Sequence, residues 1–206
     1  MNQSAPSSET KQPGQLGALA PYYDLIMKFL TMGRERTLRH MEVELSSAEP
    51  GDQVLEVGCG TGTLTLALAR QVGPGGSVHG VDIAPEMVRV AHRKGVRKGS
   101  PARFRTATID GLPFPDATFD VVVCSFMIYH MPEDVRLRGI REILRVLRAD
   151  GTFLVVDGTK TDFDALGRSM AEAGFLETDS GLKKIATFAP SVRYLRATAR
   201  TARQAP

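Results

Sequence analysis

The chain is predicted to be α/β, with helices covering both faces of a doubly wound, mostly parallel sheet. Short apolar runs alternate with helix-like segments between about residues 50 and 175. The runs are continuously apolar, which is typical of strands buried on both faces. With 206 residues, 42% of them hydrophobic, the chain suits a single globular domain.

Apolar runs bounded by turn residues predict the strands, and stretches with a helical apolar period predict the helices between them. The predicted strands are Gln53–Val57, Ser77–Asp82, Ala102–Thr106, Val121–Ser125 and Thr152–Asp157. The predicted helices cover about residues 63–72, 85–94, 133–148 and 162–173. This strand and helix alternation predicts a parallel sheet, whose ligand site lies where the carboxyl ends of the strands meet.

The segment before the first strand has a different pattern. Residues 1–18 are mostly polar, rich in Ser, Pro and Gln, and predict a disordered tail. Residues 19–45 predict a helical cap in two pieces broken at Gly33. The apolar face of the first piece consists of Leu25, Ile26, Phe29 and Leu30, and that of the second of Leu38, Met41 and Leu45.

The pattern changes again after Gly174. Two short runs, Phe175–Thr178 and Lys184–Phe188, are joined through "DSG" and predict a C-terminal antiparallel hairpin. Residues 191–206 predict a basic, solvated tail. If this tail is helical, one face of it carries Arg193, Arg196, Arg200 and Arg203. The globular domain is therefore expected to span residues 19–190.

Composition narrows the class of protein. Net charge is only +3, which does not require an acidic partner. The first residues lack the basic and apolar regions of a secretory signal, and no run is long enough to span a membrane, so we expect a cytoplasmic protein. Cys59 and Cys124 lie in apolar surroundings and are expected to be reduced. The histidines lack metal-ligand spacing, so no metal site is expected.

The stretch "VLEVGCGTG", residues 54–62, has glycines at 58, 60 and 62 directly after the first strand. Glycines there allow a sharp turn and bring bare backbone N–H groups and a helix N-terminus against a ligand. The spacing G-x-G-x-G differs from the G-x-G-x-x-G of dinucleotide-binding proteins. Asp82 ends the second strand, where a carboxylate accepts hydrogen bonds from both ribose hydroxyls. The two features together predict a ribose-bearing ligand.

Five ordered motifs resemble those of the class I S-adenosylmethionine-dependent methyltransferases. They are "VLEVGCGTG", "GVDIAPEMV", "LPFPDATFDVVVCSF", "YHM" and "EILRVLRADGTFLVV". The chain looks like a type 11 methyltransferase and is most similar to the ubiquinone/menaquinone C-methyltransferase group. The resemblance implies a Rossmann-like, seven-stranded sheet, S-adenosyl-L-methionine as cofactor and a small-molecule acceptor.

The resemblance also implies which residues bind the cofactor. Glu56, Gly58 and Gly60 would hold the methionine moiety, and Asp82 the ribose. The other cofactor contacts that the resemblance implies are Ile83, Thr108, Ile109, Asp110, Ser125 and Tyr22. In similar enzymes an Asp-Ala pair meets the adenine, and Thr108 and Ile109 stand in its place. Either Thr108 or Asp110 would then accept from the adenine amino group.

Three residues are candidates for the acceptor side of the reaction. Tyr129 and His130 follow the fourth strand, and His130 could take a proton because histidine titrates near neutral pH. Tyr23, with Tyr22, lies in the cap, where an aromatic ring would close over a sulfonium. Related enzymes have a helical insertion after the fifth strand, whereas here only "GTKTDF" follows Asp157. The cap or a second subunit is therefore expected to form the lid.

The predicted reaction is in-line methyl transfer to a small, partly apolar molecule. A phospholipid head-group N-methyltransferase is the nearest alternative, and a nicotinamide-dependent oxidoreductase or a non-catalytic binding module are alternatives of other classes. Nucleic acid is not an expected partner, because the chain lacks the base-methylating Pro-Pro-aromatic loop and Pro-Cys motif. Contact with an acidic membrane surface and a homodimer stay open.

Overall fold

The computed structural model describes residues 20, 22–128, 131–185 and 191–200. Within these ranges the strands are β1 Gln53–Val57, β2 Ser77–Asp82, β3 Arg103–Thr106, β4 Phe119–Ser125, β5 Leu147–Gly158, β6 Phe175–Lys184 and β7 Ser191–Ala199. They form one sheet of seven strands in the order β3-β2-β1-β4-β5-β7-β6. Strand β7 is antiparallel to both its neighbours, and the pairs from β3 to β5 are parallel. The predicted α/β class is confirmed.

Helices cover both faces of this sheet. The described α-helices are α1 Tyr23–Leu30, α2 Glu35–Ser46, α3 Thr63–Val72, α4 Pro85–Arg97, α5 Glu133–Val146 and α6 Phe163–Ala173. Neighbouring strand residues belong to two different buried clusters, because successive side chains of a strand point to opposite faces. Val122 packs in one cluster with Ile140 of α5, and Val123 in the other with Leu64 of α3.

The helical cap breaks where predicted, but one of its apolar faces is exposed. Gly33 separates α1 from α2 with φ +77°. Leu38 of α2 is buried, whereas Leu25 and Phe29 of α1 are 66% and 86% exposed. The side chains of Ile26 and Leu30 lie outside the described residues. The predicted apolar face of the first piece is therefore exposed at Leu25 and Phe29.

The C-terminal hairpin is present, but with other strand limits. The stretch "DSG" is not a turn, because Ser180 and Gly181 lie within β6 opposite Leu195 and Tyr194 of β7. A Cβ on Gly181 would lie 3.1 Å from the Tyr194 ring, so this glycine serves a close cross-strand contact. Residues 191–199 are therefore a strand and not a tail, and the side chains of Arg193 and Arg196 point to opposite faces of the sheet. Arg203 and the expected disordered N-terminal tail lie outside the described residues.

Candidate active site

The strand order reverses between β1 and β4, and this switch point carries a pocket. From β1 the chain continues outward to β2 and β3, and from β4 to β5. The pocket encloses about 320 Å³, including open space at its mouth. Its lining includes Tyr23, Arg39, Glu56, Gly58, Gly60, Thr61, Ser125 and Phe126. It therefore lies where doubly wound sheets bind their ligands.

The three glycines after β1 are required for different reasons. Gly58, Gly60 and Gly62 have φ of +76°, +52° and +76°, in the left-handed region that glycine tolerates. A Cβ on Gly58 would lie 2.8 Å from Met127, and one on Gly62 would lie 2.7 Å from Phe104. A Cβ on Gly60 would meet only the Tyr23 ring, at 3.7 Å. Gly60 thus borders the pocket, whereas Gly62 serves packing between the loop and β3.

The backbone N–H groups of this loop bond to β2. Those of Gly58 and Cys59 donate to the Val81 carbonyl at 2.8 and 2.9 Å. That of Gly60 donates to Asp82 Oδ2 at 2.8 Å. The expectation that bare N–H groups face a ligand is therefore wrong for these three residues. What the loop presents to the pocket is backbone without side chains.

Asp82 lies at the end of β2, as predicted, and both its oxygens accept backbone bonds. Its Oδ1 accepts from the Ala84 N–H at 2.9 Å. Burial raises the pKa of Asp82, although the bonds from Ala84 and Gly60 act in the opposite direction. Each carboxylate oxygen has a second lone pair, so Asp82 keeps the capacity to accept from hydroxyl donors.

Glu56 at the end of β1 is a buried carboxyl group in the pocket wall. Burial raises its pKa to about 8, while the hydrogen bond from Thr65 Oγ1 and the charge of Arg39 act to lower it. The group is therefore mostly protonated at neutral pH in the cofactor-free protein. Cys59 and Cys124 are buried free thiols, as predicted.

Arg39 of α2 is a pocket residue that the sequence reasoning missed. Its Nη1 donates to Glu42 Oε2 at 2.9 Å and to Ser125 Oγ at 3.4 Å. Burial acts to lower the Arg39 pKa, but the charge and hydrogen bond of Glu42 raise it overall. Its Nε has no hydrogen-bond partner among the described residues. Glu35, Arg39 and Glu42 share one helix face at i, i+4 and i+7, and this spacing was the available signal.

Several predicted cofactor contacts differ in placement. Tyr23 lines the pocket, whereas Tyr22 is 62% exposed and is not among the pocket residues. The Ser125 hydroxyl donates to Glu42 Oε1, so its side chain links β4 to the cap. Ile83 is 51% exposed beside Asp82, a placement open to a flat ring.

The segment predicted to meet adenine is only partly free to do so. The Ile109 side chain is buried and packs where a Cβ on Gly139 would clash with it at 2.6 Å. Only the backbone of Ile109 is therefore available to a ligand. Asp110 Oδ2 pairs with Arg138 Nε at 3.2 Å. The hydrogen bond from Thr108, followed by that from Arg138, lowers the pKa of Asp110.

Tyr129 and His130, the predicted acceptor-side residues, lie outside the described residues. The segment leading to them begins with Phe126, which lines the pocket and has φ +53°. A left-handed aromatic residue carries backbone strain of the kind found at functional sites. Within the described ranges no three His, Cys, Asp or Glu side chains come together as metal ligands. None of the described helices is long and apolar enough to span a membrane.

Known proteins resemble this chain in sequence and in fold. The family described as "Methyltransferase domain" matches residues 54–151. The ubiquinone/menaquinone biosynthesis C-methyltransferase UbiE of Azotobacter vinelandii is 33% identical over 197 residues, covering 94% of this chain and 77% of that protein. The fold, the glycine loop and Asp82 together define an S-adenosyl-L-methionine-dependent methyltransferase. More closely, the chain belongs to the family of the ubiquinone/menaquinone biosynthesis C-methyltransferases.

Solved structures agree on the fold. A SAM-dependent methyltransferase from Aquifex aeolicus has a TM-score of 0.69 at 21% identity and covers 91% of this chain, with 98% of its own length aligned. The [4+2]-cyclase SpnF has a TM-score of 0.68 at 22% identity, with 80% of each chain covered. With family and fold in agreement, the chain is an enzyme that uses S-adenosyl-L-methionine to methylate a small, partly apolar molecule. The nicotinamide-dependent and non-catalytic alternatives are set aside.

Proposed function

We propose that the methyl acceptor is an aromatic ring carbon of a quinone precursor. The relatives are named as C-methyltransferases of ubiquinone and menaquinone biosynthesis. The observation that carries the proposal is the apolar side chain of Phe126 in the pocket wall, beside Arg39 and the Glu56 carboxyl group. The apolar wall suits a ring, and the two polar groups suit the amino acid end of the cofactor.

The described residues fit S-adenosyl-L-methionine. Arg39, with a buried Nε that lacks a partner, would bind the cofactor carboxylate, and Glu56 its ammonium group. Asp82 would accept from the ribose hydroxyls, and Ile83 would pack against adenine. Either Thr108 or Asp110 would meet the adenine amino group. The backbone of Ile109 and the carbonyl of Ser125 are the remaining proposed contacts.

The protein itself has mainly to orient the acceptor and exclude water. The bound sulfonium supplies an already activated methyl group. Orientation of the reactants lowers the barrier by roughly 7 to 11 kcal/mol. A general base typically adds a hundred- to ten-thousand-fold in rate, which is only about 3 to 5 kcal/mol. We therefore assign Tyr129 and His130 to orienting the acceptor or taking its proton, and Tyr23 to closing the pocket beside Gly60.

Helix α1 supplies the roof over the pocket in this proposal. Only residues 159–162 connect β5 with α6, so no insertion is available on that side. Tyr23 of α1 lines the pocket beside the glycine loop. Closure by α1 would keep water from the methyl group during transfer.

The acceptor is tested by incubating the enzyme with labelled cofactor and a reduced naphthoquinone that carries a short isoprenoid chain and a free ring position. We expect a product heavier by one CH₂, with the methyl on carbon by NMR. Phosphatidylethanolamine is the matched substrate for the head-group alternative. Methylation of that lipid with none of the quinol would overturn the proposal in favour of an N-methyltransferase.

We also propose a cytoplasmic enzyme in peripheral contact with an acidic membrane surface. One stripe of the α1 segment is exposed and apolar, formed by Tyr22, Leu25, Phe29 and Met32 at 62%, 66%, 86% and 62% exposure. Exposed Lys28 flanks the stripe. An apolar helix face flanked by a lysine suits an anionic lipid surface.

Vesicles of phosphatidylglycerol and phosphatidylcholine test this contact by co-sedimentation. Phe29→Ser should release the enzyme, whereas Leu182→Ser, at a residue 57% exposed on β6, should not. In the competing hypothesis a second copy of the chain covers this stripe and forms a homodimer. Sedimentation showing a dimer that Phe29→Ser dissociates, with no vesicle binding, would decide for the homodimer.

A further inference from the structure

Lys94 of α4 is a buried lysine whose ammonium group joins three parts of the chain. The residue is only 7% exposed. Its Nζ lies 2.7 Å from Asp24 Oδ2 in α1. The same Nζ donates to Thr63 Oγ1 at 2.9 Å and to Thr61 Oγ1 at 3.1 Å. An ammonium group has three N–H donors, so this lysine is fully satisfied.

Asp24 completes a closed set of contacts with the glycine loop. Its Oδ1 accepts from Thr61 Oγ1 at 2.5 Å, while its Oδ2 pairs with Lys94. Burial acts to raise the Asp24 pKa, but the hydrogen bonds from Lys94 and Thr61 outweigh it and hold the pKa below its usual range. The carboxylate is therefore charged at neutral pH.

Thr61 and Thr63 of this set line the pocket, whereas Asp24 and Lys94 are not among its lining residues. Asp24 directly follows Tyr23, and Thr61 directly follows Gly60. Tyr23 and Gly60 are both pocket residues, and a Cβ added to Gly60 would lie 3.7 Å from the Tyr23 ring. The described apolar contacts of this end of the cap join Tyr23 and Ala20 to Ala84 and Met87. Among the ion pairs of the described residues, the Asp24–Lys94 pair is the one that links α1 to the body of the domain.

We propose that Asp24 and Lys94 are positioning residues that hold α1 closed over the glycine loop and so keep the cofactor in place. The proposal rests on the lid role of α1 given above. Neither side chain is assigned a contact with cofactor or acceptor. The pair acts through Tyr23 and Gly60, and its loss should speed cofactor release without changing which acceptor is methylated.

A double-mutant cycle with Asp24→Ala and Lys94→Met tests the pair. Asp24→Ala should raise the Kd for S-adenosylhomocysteine and the KM for the cofactor about tenfold, within the usual range for a coupled pair, with kcat little changed. In the Lys94→Met background the same change should alter Kd less than twofold. Methionine fills the lysine volume, and the Asp24 carboxylate that it leaves without an ion pair is 45% exposed, so Lys94→Met should fold. Lys94→Met alone should also raise the Kd about tenfold, which keeps the test valid if Asp24→Ala alone unfolds.

Two further measurements separate positioning from general stability. Asp24→Glu keeps the charge and should restore most of the cofactor affinity. Glu86→Gln breaks the exposed Glu86–Arg89 pair of 2.9 Å on the same α4 helix and should leave Kd unchanged. Additive effects in the cycle, or an unchanged Kd in Asp24→Ala, would refute the positioning role. Wild-type enzyme that fails to bind S-adenosylhomocysteine would instead contradict the proposed function.

Discussion

The backbone N–H of Gly60 donates to Asp82 Oδ2 at 2.8 Å, which joins the loop after β1 to the end of β2. Two motifs that are 22 residues apart in the chain therefore form one unit. The second Asp82 oxygen accepts from Ala84, so the carboxylate also fixes the turn from β2 into α4. Asp82 thus holds the glycine loop in place and is also proposed to bind the cofactor ribose.

Replacing Asp82 by alanine should weaken cofactor binding strongly. The change removes two charge-assisted hydrogen bonds within the site as well as those proposed to the ribose. Bonds to charged groups contribute about 1.5–3 kcal/mol each, so the Kd for S-adenosylhomocysteine should rise at least about tenfold. Calorimetry measures this Kd directly.

Asp120→Ala is the matched control for this variant. Asp120 Oδ2 accepts from the Gln53 N–H at 2.8 Å, at the start of β1 and thus at the far edge of the sheet. Its removal should lower the thermal unfolding temperature but leave cofactor affinity unchanged. An Asp82→Ala protein that binds as tightly as Asp120→Ala would contradict the role given to Asp82.

Much of the fold could be predicted from the sequence because the apolar runs are continuous and the glycine loop is local. Strands β1 and β2 were predicted with the limits observed. The limits of the hairpin strands were not predicted. Gly181 lies within β6, where the Tyr194 ring on β7 leaves little room for a side chain. A glycine within a strand and a glycine in a turn give the same sequence signal.

The site was only half predictable for a similar reason. Asp82 ends β2 and was placed by the sheet pattern, whereas the role of Glu56 was implied by the resemblance to known methyltransferases. Arg39 and Lys94 are charged residues on amphipathic helices, where a solvated position is the usual expectation. Glu42 lies three residues from Arg39 on the same helix, and what the sequence does not give is that this helix face packs against Ser125 of β4. Lys94 is paired with Asp24 of another helix, and no local period indicates that contact.

Gly62→Ala should destabilise the protein more than it disturbs the pocket. A Cβ there would lie 2.7 Å from Phe104 and 2.9 Å from Ala91 at a φ of +76°. Left-handed backbone costs about 1–2 kcal/mol and overpacking about 1–3 kcal/mol. Denaturant unfolding should therefore show a loss of about 2–5 kcal/mol. Phe104→Leu in the same chain should restore part of this loss, and an unchanged midpoint for Gly62→Ala would disprove the packing role.

Arg39→Met should reduce affinity only for ligands that carry an amino acid carboxylate. The Kd for S-adenosylhomocysteine should rise about ten- to a hundredfold, as expected for one buried charge-assisted contact. 5′-Methylthioadenosine contains the same nucleoside without the amino acid end, so its Kd should change little. Equal weakening of both ligands would show that Arg39 only supports the fold through Glu42.

The Glu56 carboxyl group has a pKa of about 8 in the folded, cofactor-free protein, above its ordinary value of 4.5. Below pH 4.5 the folded and unfolded chains both hold the proton. Between pH 4.5 and about 8 only the folded chain holds it, so the free energy of unfolding should fall as pH rises through this window and then level off. Glu56→Gln should remove this slope, as urea unfolding at several pH values would show.

Cofactor binding should have the opposite pH dependence. The cofactor ammonium group needs the Glu56 carboxylate, so binding at pH 7 should release a proton and affinity should rise toward pH 8. Calorimetry in buffers of different ionisation enthalpy measures the released protons. The ligand's own amino group also titrates near this range. The Glu56→Gln protein should therefore retain the proton release that comes from the ligand and lose the release that comes from Glu56. Identical proton release in the wild-type and Glu56→Gln proteins would mean that Glu56 does not meet the ammonium group, because only an ionising partner couples its own proton to the ligand.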